Sequence, residues 1–334
     1  MTTIQDIARR LGVTKGTVSK ALNGAPDISE TLQKQILETA VEMGYTRLRR
    51  QKGTAPKLCI LAASQNIEYQ KHHQFGYEVV LGFRQMAEPQ GYQVDVIPVD
   101  EESQRQEPYD VFMLKNHYQG SFVIGFSLAD PWMQEFETSR TPAVLYDNHV
   151  LANPSTAYVG VDNDEGMALA VSHLKELGHQ KIGYLSTSPD SYIMQVRRKA
   201  FSRAMRQNGL CADSACTGPS SYISQCLDEH LPRFLEEGMT ALICSHDLIA
   251  QAALVRCQEM GLRVPEDFSV IGFDDIQSDI RMPVPLTTIG CDKRAVGDHA
   301  VELLMRRIAE PDAPVRQVRI QTHLVQRGTT CPRA

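Results

Sequence analysis

From residue 58 onward the chain alternates short apolar runs with amphipathic stretches, and after Ala157 the alternation starts over. Strands are expected at 58–63, 93–98, 121–126 and 142–146, with helices at 75–88, 109–117 and 130–139 between them. The second run places strands at 158–161, 181–186, 241–244 and 268–272, and helices at 165–177, 192–208, 221–237 and 247–260. Repetition of strand and helix requires parallel sheets with helices covering their faces, because a crossover helix must bury its apolar stripe against the strands it joins. Two such runs in 334 residues exceed what one core holds and imply two α/β lobes. Open α/β sheets bind ligands beyond the carboxyl ends of their strands, so a ligand cleft is expected there.

The first fifty residues follow a different rule. Thr3 can cap a helix with Asp6 three places on, and Ile4, Ile7, Ala8 and Leu11 form its apolar stripe. Gly12-Val13 breaks that helix, and Thr14 caps a second over 15–22, with Val18, Ala21 and Leu22 facing inward. Asn23-Gly24-Ala25-Pro26 stops it, and Ser29 caps a third helix whose buried face is Leu32, Ile36, Leu37, Ala40, Val41 and Met43. Three short helices, the first two joined by a tight glycine turn, match a helix-turn-helix. The exposed early residues of the second helix, Lys15, Gly16, Thr17, Ser19 and Lys20, would then meet base edges and phosphates, with Thr3, Thr14 and Asn23 flanking them.

Charge agrees with this division. Residues 1–57 hold ten Lys/Arg and five Asp/Glu, a balance of +5, whereas the whole chain carries −6 and the remainder therefore −11. A basic head on an acidic body is the footprint of a polyanion-binding module carried by something else. Arg47, Arg49, Arg50 and Lys52 in the linker at 46–57 would neutralise phosphates and steepen the salt dependence of binding.

Other classes lose ground on motifs. Neither GxGxxG nor GxxxxGK[ST] occurs, and the paired carboxylates Asp162/Asp164 and Asp274-Asp275 have no Ser/His or Cys/His set beside them. Eight cysteines lie scattered without a CxxC pair, so their spacing marks neither a zinc site nor a disulfide framework, and no cofactor is expected. No run approaches the roughly 18–20 apolar residues that cross a bilayer. The start, Met1-Thr2-Thr3-Ile4-Gln5-Asp6, has no signal-peptide pattern, so a cytoplasmic location is expected.

The run from Ile4 to Gly24, IQDIARRLGVTKGTVSKALNG, resembles the head of the lactose-repressor/galactose-repressor (LacI/GalR) family. Ile28-Ser29-Glu30-Thr31 and Glu42-Met43-Gly44-Tyr45 fit its third helix. The likeness continues through Gly160-Val161-Asp162-Asn163, residues 173–179, 197–201 and 261–273, Pro285-Leu286-Thr287-Thr288-Ile289, and residues 324–329. It implies a sequence-specific transcription regulator, a repressor rather than an enzyme, with a periplasmic-binding-protein-like core, acting as a homodimer on a pseudo-palindromic double-stranded operator. The domains expected are a helix-turn-helix head at 1–45, a linker at 46–57, a first lobe at 58–157 and 290–317, and a second lobe at 158–289 and 318–330. No leucine heptad follows Arg327, so a dimer is expected rather than a tetramer.

Lys15, Gly16 and Lys20 fall on the family's base-reading positions. Lys20 stands where arginine is usual, a point charge in place of a planar fork. The linker departs further: the family's proline–asparagine and leucine pattern is missing, and Leu48 is the sole apolar candidate for a minor-groove wedge. Carried over by position, the effector contacts are Asp147, Arg197, Asp247 and Asp274, with His246 where asparagine is common. Ser64 and Tyr69, after the first strand, should face the same cleft, and Tyr192 and Tyr222 could stack on a sugar face. Carboxylates alternating with an arginine suit vicinal hydroxyls, so a sugar leads. A nucleoside, a phosphocarrier protein docking on the core, and a sugar-modifying enzyme with a DNA-binding head stay open.

Overall fold

The computed structural model describes residues 2–46, 55–64, 69–71, 74–151, 153–276 and 284–333. The chain forms two compact units, one of Met1–Ile67, Val80–Val159 and Gly297–Val318, the other of Glu68–Val79, Gly160–Val296 and Arg319–Ala334. No helix among the described residues is long and apolar enough to cross a membrane.

In the first unit, α1 (Ile4–Leu11) opens on a capping box. Asp6 N donates to Thr3 Oγ1 at 3.3 Å, and Thr3 N donates to Asp6 Oδ2 at 3.0 Å. The helix ends at Gly12, whose φ of 67° lies in the left-handed region that a residue with a Cβ adopts only under strain. Thr14 Oγ1 then accepts from Thr17 N at 3.1 Å and starts α2 (Lys15–Leu22), and Ser29 caps α3 (Glu30–Glu42). Ile7, Ala8, Val18, Ala21, Leu22, Ile36, Leu37 and Ala40 close one small core, and Val111 and Leu114 join it from the body of the same unit.

The chain continues as β1 (Lys57–Ala63), α4 (Phe75–Ala87), β2 (Gln93–Val99), α5 (Glu101–Gln106), α6 (Tyr109–Lys115), β3 (Tyr118–Ile124), α7 (Pro131–Glu135), β4 (Ala143–Tyr146) and β5 (Thr156–Val161). It goes on through α8 (Asn163–Glu176), β6 (Ile182–Thr187), α9 (Tyr192–Gln207), β7 (Thr217–Ser220), α10 (Ile223–Glu236), β8 (Ala241–Cys244), α11 (Asp247–Glu259) and β9 (Ser269–Phe273). Last come β10 (Thr287–Cys291), α12 (Lys293–Ala309), β11 (Gln317–Ile320) and β12 (Thr322–Val325).

Among the described residues each sheet has six strands, in the orders β11-β5-β4-β3-β1-β2 and β12-β10-β9-β8-β6-β7. Both obey one permutation: the second strand sits outside the first and the later ones run the other way. That reversal, between β1 and β3 and between β6 and β8, opens the crevice where such sheets take ligands. β1 pairs parallel with β2 and β3, and β6 pairs parallel with β7 and β8, while β12 closes its sheet antiparallel to β10.

Two expected elements move. The helix expected over 130–139 is only α7, because Asn153 Nδ2 takes the carbonyls of Phe136 and Ser139 at 2.6 and 2.8 Å and turns the chain there. The strand expected over 121–126 runs from Tyr118 to Ile124, because Gly125, at φ 77°, breaks the extended backbone.

Candidate functional site

The head presents α2 outward. Val18, Ala21 and Leu22 are buried, Lys15, Gly16 and Lys20 are exposed, and Thr17 and Ser19 are half-buried. Thr17 hydrogen-bonds to the cap through its hydroxyl as well as its amide, Thr14 Oγ1 to Thr17 Oγ1 being 2.9 Å. Lys20 pairs with Asp27, and Asn23 Nδ2 donates to Ser19 O at 2.6 Å, so both side chains have local partners on the exposed face. Arg47, Leu48, Arg49 and Arg50 lie outside the described residues.

A second constellation belongs to the other unit, at the carboxyl ends of β6, β8 and β9. Arg197, on the buried face of α9, is only 2% exposed. Its Nη2 donates to Asp274 Oδ1 at 2.7 Å and its Nη1 to Oδ2 at 3.2 Å, a two-pronged pair. Nε donates to Asn163 Oδ1 at 2.9 Å and Nη1 to Ser245 O at 2.6 Å, while the guanidinium lies 3.9 Å over the Phe273 ring. Planarity lets one group satisfy carboxylate, amide, carbonyl and aromatic face together, which an ammonium could not do. Asp274 and Asp275 hold φ of 99° and 46°, strained values for residues bearing a Cβ. Arg327 Nη2 holds the Asp275 carboxylate at 2.6 Å, and Lys293 Nζ holds its carbonyl at 2.9 Å.

Asp247 begins α11, 1% exposed. Its Oδ1 accepts from Thr288 Oγ1 at 2.5 Å and its Oδ2 from Ile276 N at 2.7 Å. Burial pushes its carboxyl up to about 7, with the Asp274 charge adding to the rise and the Thr288 hydrogen bond opposing it. Beside it, burial pushes His246 down to about 4, and its Nε2 meets Thr187 Oγ1 at 3.1 Å across the β6–β8 crevice. The ring is therefore neutral at physiological pH, able to accept at one nitrogen and donate at the other. Gly272 has no room for a Cβ, which would stand 2.1 Å from Asp247 Oδ1. The Ser245 hydroxyl is buried with no hydrogen-bond partner among the described residues.

Arg197, His246, Asp247 and Asp274 thus come together in one unit. Tyr192 is half-buried at the start of α9, and Tyr222 is 72% exposed ahead of α10. Tyr69 is half-buried in the same unit. Ser64 and Asp147 belong to the other unit, after β1 and β4: Ser64 is exposed, and Asp147 has a φ of 47° with its amide donating to Val159 O at 3.0 Å. Sequence reasoning gave no role to Asn163, Thr187, Thr288 or Arg327. Three of these lay within the family-like blocks, so the signal was present, but their partners are 34 to 52 residues away in the chain.

A helix-turn-helix head with two doubly wound α/β units defines a class, the DNA-binding transcription regulators. Residues 3–47 match the description "Bacterial regulatory proteins, lacI family", and residues 171–330 match "Periplasmic binding protein-like domain". The repressor PurR of Aliivibrio salmonicida (strain LFI1238) is 30% identical over 322 residues, spanning 93% of this chain and 93% of that protein. The chain belongs to the LacI family of bacterial regulatory proteins and is a DNA-binding transcriptional repressor. Its fold is shared with the transcriptional regulator CelR–cellobiose complex (TM-score 0.70, 22% identity, 98% of this chain and 100% of that one). It is shared too with the Lac repressor dimer bound to operator and the anti-inducer ONPF (TM-score 0.66, 23% identity, 99% of each chain).

Proposed function

We propose that this repressor acts as a homodimer on a pseudo-palindromic operator, with α2 in the major groove and a small polar effector held against the Arg197–Asp274 pair. Lys15, Gly16, Thr17, Ser19 and Lys20 read bases and nearby phosphates, with Thr3, Thr14 and Asn23 as flanking contacts. The observation that carries the effector assignment is the buried two-pronged pair of Arg197 and Asp274 at the β6–β8 reversal, beside neutral His246 and the Ser245 hydroxyl, which has no partner among the described residues. Such a set offers donors and acceptors in alternation, which a polyhydroxylated ligand satisfies at several points. A sugar is the leading effector class, and the cellobiose carried by the CelR structure supports it. A nucleoside or nucleobase is the second reading, favoured by the PurR relative, whose sequence similarity is the higher of the two.

Control follows from linkage: an effector shifts operator affinity only by binding one state of the repressor more tightly than the other. The test begins with an operator selected from random duplexes, followed by fluorescence anisotropy with sugars, sugar phosphates, nucleosides and nucleobases. A class of ligand that shifts operator affinity, and whose effect disappears in Arg197→Lys, supports the site. A shift that persists unchanged in that variant overturns it.

A further inference from the structure

Away from the Arg197 constellation, Cys211, Asp213 and Cys216 form a group whose ligand atoms all lie within 4.8 Å of one another. The Cys211 thiol donates to Asp213 Oδ2 at 3.3 Å, and the Cys216 thiol donates to Asp213 Oδ1 at 3.3 Å. Around a tetrahedral ion with a metal–sulfur distance of about 2.3 Å and a metal–oxygen distance of about 2.0 Å, sulfur and oxygen ligands stand about 3.5 Å apart and two sulfurs about 3.8 Å. Each sulfur already stands at about that distance from one oxygen of Asp213, Cys211 from Oδ2 and Cys216 from Oδ1, so the carboxylate has to turn to bring one oxygen to both, and the sulfur–sulfur edge has to close by no more than about 1 Å.

Hydrogen bonds between side chains and the backbone fix the Asp213–Cys216 end of this group. Asp213 Oδ1 accepts from Cys216 N at 3.2 Å, and Arg233 donates to the carbonyls of Ala215 at 2.8 Å and Thr217 at 3.0 Å. Cys216 is buried and Cys211 exposed, so one sulfur is fixed while the other faces solvent with room for a further ligand. We propose that Cys211, Asp213 and Cys216 bind one thiophilic divalent cation of the zinc class, with water at the fourth position. The groove alongside, about 420 Å³, is lined by Arg198, Lys199, Arg203 and Arg206 as well as Asp213. That positive wall opposes a hard ion held by charge alone, so affinity has to come from thiolate bonding, which selects Zn²⁺ or Cd²⁺ over Mg²⁺. Binding exchanges two thiol protons for one metal ion and changes no oxidation state. The Cys-x-Asp-x-x-Cys spacing has no CxxC pair and so escapes a search by cysteine interval.

The test uses the full chain, reduced with a phosphine, freed of metal by a chelator, its thiols counted, and titrated with Cd²⁺. The expected result is a thiolate-to-cadmium charge-transfer band saturating at one equivalent, release of two protons, displacement by Zn²⁺ and indifference to Mg²⁺. Cys211→Ser, an exposed position that the core does not need, should lose the band while melting as the parent does. Asp213→Asn should weaken binding roughly tenfold or more, and Cys291→Ser should change nothing. Absence of a band from the fully reduced chain, or a band that survives Cys211→Ser, overturns the assignment.

Discussion

Taking the Arg197 guanidinium out of water costs several kcal/mol, an amount that its fork on Asp274 offsets only while both partners remain. Arg197→Ala strands the Asp274 carboxylate in a site where it is 9% exposed, and the expected loss is about 3–5 kcal/mol, read as a lower unfolding midpoint in urea. Arg197→Lys keeps the charge and loses the fork. It should retain operator binding and more stability than the alanine variant, yet lose the effector response in anisotropy. Asp247 gives a pH signature. Its folded carboxyl, at about 7 against the ordinary 3.8, favours the protonated form, so its contribution to stability is full below about 4 and is lost as pH rises through about 7. His246, held at about 4 against 6.5, runs the other way, contributing above about 6.5 and losing that contribution as pH falls through about 4. Asp247→Asn removes the first of these losses but also leaves Thr288 or Ile276 without its acceptor. In paired urea titrations the variant should be clearly weaker near pH 4.5, with the gap narrowing by pH 7.5; a gap constant with pH would show that Asp247 does not titrate with folding.

At the scale of elements, the helices of the head were the most legible part of the chain. Their caps are side chains acting over three residues, Thr3 with Asp6, Thr14 with Thr17 and Ser29 with Leu32, so the signal is complete within one turn. Thr3→Ala should cost about 1 kcal/mol of head stability and weaken operator binding, while the melting of the second unit stays where it was. Calorimetry alongside anisotropy would check both. The double substitution Lys15→Ala plus Lys20→Ala should abolish specific binding without altering the circular dichroism, and retained specificity would mean that another face of the head reads the operator. Strands buried on both sides, such as β8, were equally plain because Ala241–Cys244 is an apolar run between turns. α5 was not, since EESQRQ has no apolar face, and β7 was not, since Thr-Gly-Pro-Ser has no strand former besides threonine. α12 went unread although Val296, Ala300, Val301 and Leu304 keep helical spacing and are all fully buried. In the candidate site, Arg197 lies in a family-like block and Asp274 directly after one, so both could be named by position. Their mutual bond could not, because 77 residues separate them in the chain and only the parallel sheet brings β9 and α9 to one crevice.

Across the whole molecule, the opposition of a basic head and an acidic body bears on how binding responds to salt. Operator affinity should fall steeply with ionic strength, with a slope set by the phosphates neutralised, and Arg49→Ala plus Arg50→Ala should flatten that slope with little change in sequence preference. Filter binding across a salt series measures it, and an unchanged slope would remove the linker arginines from the phosphate contacts. The edges of the two sheets have a different consequence. β11 completes one sheet and β12 the other, and the single residue Gln321 separates them in the chain. On the ribosome, neither sheet can gain this edge strand until residue 317 or later has been made. The three head helices, by contrast, end at Glu42, and the core they share with Val111 and Leu114 is complete in sequence once α6 has been made. Between the synthesis of α6 and that of β11 the nascent chain would therefore carry a head with its core residues complete on a body still unfinished, and a stop codon just before β11 would leave both sheets one strand short.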